Sequence, residues 1–182
     1  PNLSITDGST AGLDFTASVS PGTPNNPIGI LALSADQSGA SFEELTVTNL
    51  APGVAGISAA RLFWSDDTTL EPGTDTELAS VTVDDQSAPS SILFDGFSEP
   101  VSSTTGYALL AIDVEPGATD GGVQFELSQP ADLVVTGSEI ATVNGASNTS
   151  FAALPLSNDA TALPVEFAGI NVQRSSAQGI TI

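Results

Sequence analysis

This chain of 182 residues contains no cysteine, histidine, lysine or methionine. Each absence closes a route. Without cysteine there is no disulfide, thiolate ligand or thiol nucleophile, and the redox compartment is left open. Without histidine, cysteine or lysine, Ser–His–Asp and Cys–His triads, Schiff-base chemistry and the commonest zinc ligand sets are excluded. Arg61 and Arg174 are the two cations set against 22 acidic residues, a formal charge of −20. That field repels nucleic acid and anionic membranes and disfavours phosphate-bearing substrates. No run approaches the roughly 20 apolar residues of a membrane-spanning helix. The first residues lack the charged region and apolar run of a secretory signal, which fits a mature, already processed chain.

What is present is apolar alternation. Forty per cent of the chain is apolar, which excludes the low-hydrophobicity route to disorder. The length fits one domain able to bury about 70% of its unfolded surface. Period-two segments separated by Gly, Pro, Asp and Ser predict strands at 1–7, 13–19, 28–35, 45–49, 58–65, 77–83, 91–97, 106–114, 123–128 and 133–136. Helical periodicity is not sustained, although 54–60 has room for one turn. The series predicts an all-β fold, an antiparallel β-sandwich of immunoglobulin-like or jelly-roll-like type. Residues 1–137 form its core. Residues 138–182 supply C-terminal strands that complete the same domain or extend to a neighbour. Residues 106–114 (GYALLAIDV) are apolar almost throughout, which predicts a central strand covered on both faces.

Two stretches carry a resemblance. IGILALSADQSGASFEELTVTNL (28–50), ISAARLFWSDD (57–67), EPGTDTELASVTV (71–83) and GYALLAIDVEPGATDGGVQFEL (106–127) resemble a β-sandwich module repeated in secreted and surface proteins of bacteria and archaea. In that module an acidic loop often looks like a calcium loop. Here the loop is DDTTLEPGTD (66–75), without the alternating ligands. LPVEF (163–167) is similar to the segment that precedes the C-terminal sorting region of exported Bacteroidota-type proteins. The two likenesses imply a secreted, extracellular or cell-surface location and say nearly nothing about activity. LPVEF is not a sortase signal, because the required Gly is missing and no basic tail follows.

Chemistry has few candidates. A carboxylate pair of glycosidase type is conceivable among Asp66, Asp67, Glu71 and Asp75, but sugar sites want aromatic platforms and basic residues, and the chain has one Trp, one Tyr and two Arg. The expectation is a non-enzymatic protein. Calcium is the candidate cofactor, none being required for folding. Hard cations take about six to eight oxygens, and Asp66, Asp67, Glu71, Asp75 and Glu77 lie close enough in sequence to converge on one. The competing reading is hydrated surface charge, with Asp84 and Asp85 in the same position. Trp64 and Tyr107 are candidates for a sugar-stacking shelf, against a plain core role. Arg61 reads as a neutralising partner for a nearby acid. The charge as a whole reads as adaptation to a salty medium, where screening removes self-repulsion.

Two functions follow as expectations. The first is an extracellular structural protein that assembles with copies of itself into a filament or coat by β-strand addition. Leu3 and Ile5 at one end and Ile180 and Ile182 at the other would be the exchanged strands, since neither end is guarded by charge. The alternative is a calcium-dependent adhesion or carbohydrate-binding module of a larger secreted protein.

Overall fold

The computed structural model describes residues 1–7, 22–49, 57–83, 91–118, 125–143, 146–147 and 154–155. Its strands are β1 (Asn2–Asp7), β2 (Asn26–Ala35), β3 (Ala40–Asn49), β4 (Ile57–Ser65), β5 (Thr76–Thr82), β6 (Ser91–Phe94) and β7 (Glu99–Val101). There follow β8 (Gly106–Val114), β9 (Phe125–Leu127), β10 (Leu133–Thr136), β11 (Glu139–Val143), β12 (Ala146–Ser147) and β13 (Leu154–Pro155). The one helical element among the described residues is a 3-10 turn at Pro130–Asp132, so the chain is an all-β sandwich as the alternation predicts. The strand expected over 13–19 lies outside the described residues, as do Asp84, Asp85, LPVEF, Ile180 and Ile182.

One sheet has seven strands in the order β12-β11-β1-β2-β8-β4-β5. Every pairing in it is antiparallel except β1 with β11, which run parallel. The second sheet is built on β3. Leu45 pairs with both Leu133 and Phe94, which sets β10 and β6 on opposite sides of β3. Thr48 likewise pairs with Glu126 and Ser91, so β9 follows β10 along one side while β6 and β7 share the other. β13 adds to β9.

The inner faces meet in one core. Leu3 and Ile5 of β1, Leu31 and Leu33 of β2, and Ala108, Leu110 and Ile112 of β8 pack with Phe42, Leu45 and Val47 of β3, Phe94, Phe125 and Leu127. Phe42 and Leu45 are three apart, which breaks strict alternation, and an irregularity opposite Val134 and Val135 absorbs the extra residue. Both therefore face inward. Phe42 makes an edge contact at 4.9 Å with Phe97, in the connection between β6 and β7, and reaches the other sheet through a tilted contact with Trp64 at 6.1 Å. The Trp64 indole lies close enough to β8 that a Cβ at Gly106 would collide with it. Only glycine lets this ring approach the sheet so closely.

The outer face of the seven-stranded sheet departs from the simple inside-and-outside pattern. Phe63, whose position alternates with the inward Leu62, is buried rather than solvated. It packs with Ile30, Leu109 and Ala111 in a second cluster, against which Leu70 and Tyr107 lie. β8 is thus covered on both faces, as its nearly continuous apolar run predicts.

The N-terminal strand is paired within its own chain. It sits between β2 and β11, paired with both, and Leu3 and Ile5 are 1% and 0% exposed inside the chain's own core. Of the 138–182 segment, β11, β12 and β13 join the same two sheets.

Candidate functional site

The polar side chains with the most defined geometry gather on the outer face of the seven-stranded sheet, where β5, β4 and β8 run side by side. Asp113 is the single acid in the apolar run of β8, and burying such a group without a cation is costly. The cation is Arg61 on β4. Its Nε donates to Asp113 Oδ2 at 2.9 Å, its Nη2 lies 2.8 Å from the same oxygen, and its Nη1 donates to Glu77 Oε2 of β5 at 2.9 Å. The bond from Asp113, with a smaller contribution from Glu77, raises the guanidinium above its ordinary value, so it is a permanent charge. The other Asp113 oxygen accepts the backbone N–H of Asn25 at 2.8 Å. Asn25 has a left-handed backbone, φ 56°, a conformation asparagine tolerates better than most residues. The arrangement locks three strands and the turn before β2 together. It offers no nucleophile and no free cation, and Arg61 is the neutralising partner that its sequence position implied.

The acidic loop follows directly. Asp67 Oδ1 accepts the N–H of Thr69 at 2.7 Å, and Asp75 Oδ2 accepts the N–H of Glu71 at 2.6 Å. The N–H groups of Thr74 and Asp75 both close on the Glu71 carbonyl at 2.8 Å. These carboxylates are occupied in holding their own turns, and Leu70 between them folds back onto the outer cluster. Glu77 points away to Arg61. Asp66 stands apart, near Glu99 of β7. Burial, and secondarily the Asp66 charge, push Glu99 above the usual carboxylate range. Asp66, Asp67, Glu71, Asp75 and Glu77 are therefore neighbours in sequence that the fold disperses. Among the described residues no three acids come together in a way that would hold a metal ion.

The aromatic shelf does not form. Trp64 packs toward the core between the sheets while Tyr107 lies on the outer cluster, so they occupy opposite faces of one sheet. An open, mostly polar depression lies where β1 and β11 begin, lined by Pro1, Asn2, Gly137 and Ser138. Beside it Asp36 accepts the Asn2 backbone N–H at 2.7 Å and its side-chain amide at 2.8 Å, fixing the entry of the chain into β1.

Asp113 and Glu99 were missed as sites of interest by sequence reasoning. A usable signal existed for the first, an acid embedded in an apolar run of a chain with only two arginines to pair it. Glu99 had none, because its neighbour Asp66 is brought to it only by the stacking of two sheets. Comparison of the chain with protein-family models and with curated proteins returns no match.

Proposed function

We propose that the chain is a non-enzymatic structural protein of an extracellular or surface assembly, a subunit that associates with copies of itself. The observation that carries this reading is the edge formed by β5. Among the described residues β5 has a ladder with β4 alone, and its other side presents seven residues of backbone, TELASVT, with a single charged side chain. That charge is turned to Arg61. An edge of this length with little charge on it is a template for an added strand. The resemblance of about residues 1–137 to surface sandwiches and of LPVEF to exported proteins supports the location. Because β1 is paired on both sides within its own sheet, this reading takes the β5 edge as the contact and not an N-terminal donor strand. The adhesion alternative gains nothing from a dispersed acidic loop and a divided pair of aromatics.

The test is sedimentation of the full chain in molar KCl, where repulsion between acidic copies is screened. Wild-type protein is expected to sediment as assemblies. Thr82→Lys, at an exposed position of β5 opposite Ala59, should sediment as a monomer with an unchanged melting temperature. A wild-type monomer at high concentration would overturn self-association. Equal assembly by the variant would remove β5 from it.

A further inference from the structure

The parallel pairing of β1 with β11 has a mechanical meaning. β1 enters the sheet at Asn2 and runs beside β11 in the same direction, with Asn2 opposite Glu139, Leu3 opposite Ile140, Ser4 opposite Thr142 and Ile5 opposite Val143. A pull on the chain before Asn2 and after Val143 therefore drags the two strands along their length in opposite senses. All of their hydrogen bonds are loaded at once, in shear. In an antiparallel hairpin pulled at its open ends the bonds break one after another, each carrying the whole load in turn. The other side of β1 adds resistance. Leu3 to Asp7 pair with Ala35 to Leu31 of β2, so sliding β1 shears a second ladder in the same movement.

Side chains reinforce the pair. Thr142 Oγ1 and Ser4 Oγ lie 2.8 Å apart in a bond across the two strands, and Leu3 and Ile5 would have to be drawn out of the core. Asp36 holds the Asn2 end through two further bonds. By contrast, β12 and β13 are held by two register positions each. β12 forms a tight antiparallel return on β11, with Ser147 opposite Thr142, so load arriving from beyond it peels it away from the open end.

We propose that β1 and β11 form a tension clamp, by which the chain bears load along its own direction. The clamp would serve the structural role proposed above, and its biological use rests on that reading. Its existence does not, since it is a property of one molecule. The chain has no cysteine, so a pair of introduced cysteines gives unique handles for single-molecule force spectroscopy. Pro1→Cys with Val143→Cys loads the pair in shear. Pro1→Cys with Ser138→Cys takes hold of both strands at their shared starting end, where Pro1 and Ser138 line one depression, and unzips them.

Forced unfolding reads the barrier to unfolding rather than equilibrium stability. The shear pair should therefore rupture at about twice the force of the unzipping pair or more, at equal melting temperatures. Thr142→Val should lower the shear force and leave the unzipping force unchanged. If Val143→Cys fails to fold, Ala146→Cys takes its place, with a small early event expected as β12 peels. Equal rupture forces for the two attachments would overturn the clamp. Assemblies without a force difference would overturn it while leaving the proposed function standing, and a force difference in a protein that never assembles would do the reverse.

Discussion

Two carboxylates on this surface are displaced in opposite directions, and each displacement is a statement about stability. Glu99 is raised by its burial and by the charge of Asp66. Folding thus favours its neutral form, and the cost of ionising it is absent below the ordinary glutamate value and fully present above the raised one. Asp36 is lowered, chiefly by the Asn2 backbone N–H it accepts. Its contribution is present above the ordinary aspartate value and is lost as pH falls through the depressed one. Glu99→Gln should accordingly raise the urea midpoint at neutral pH and leave it unchanged in acid. Asp36→Asn should lower the midpoint at neutral pH and make no difference at the acid extreme. Denaturation curves across the acid range check both, and a pH-independent effect of either substitution would contradict the assignment. Asp36 is a surface group, so its effect is the smaller and the more sensitive to salt.

Among the elements, β1 is the one whose role differs most from its appearance in sequence. Six residues with two alternating apolar side chains look dispensable at the end of a chain, yet Leu3 and Ile5 are among the largest fully buried side chains in the protein. Leu3→Ala should cost about 2–5 kcal/mol, the range for emptying a packed core position. Deletion of residues 1–6 should unfold the sandwich instead of leaving a folded monomer, as circular dichroism and urea titration would show. A stable truncated domain would mean that the pairing of β1 with β2 and β11 contributes little. The strands themselves were legible. GYALLAIDV and LVVT end where Gly106, Val114, Leu133 and Thr136 end them, because alternation and flanking turns mark a strand locally. Their partners were not, since pairing is decided by contacts distant in sequence. β7 escaped notice because Pro100 at its centre argues against a strand. β11, with Ile140 and Val143 three apart, breaks the period that would have announced it. Alternation with the inward Leu62 would put Phe63 in water, whereas a second cluster on the outer face buries it. Nothing local in Leu70 says that the acidic loop folds back over it. The candidate site fared similarly: Arg61 was readable as a partner in search of an acid, while the dispersal of the loop carboxylates depends on turns that Asp67 and Asp75 make with their own backbone.

At the scale of the whole molecule the charge of −20 has little internal compensation. Arg61 is engaged with Asp113 and Glu77, and the hydrogen bonds made by Asp36, Asp67, Asp75 and Asp132 go to amides instead of cations. Such bonds hold turns together but leave the negative field in place, so the folded state concentrates charge that the unfolded chain spreads out. Screening should then favour folding. Between low and molar KCl the Debye length falls to roughly 3 Å, and the melting temperature should rise steeply over that interval. The same rise should be obtained with sodium chloride at equal ionic strength, and an uncharged osmolyte should not reproduce its steep initial part. Calcium adds a separate arm. At fixed ionic strength, a site that captured one ion would stabilise by mass action, with Asp75→Ala abolishing the gain. The dispersed loop leads us to expect equal effects of calcium and magnesium and none from the substitution beyond its broken turn. A melting temperature indifferent to salt would show that the acidic surface is already tolerated in dilute solution, and the salt dependence expected of assembly through β5 would lose its basis.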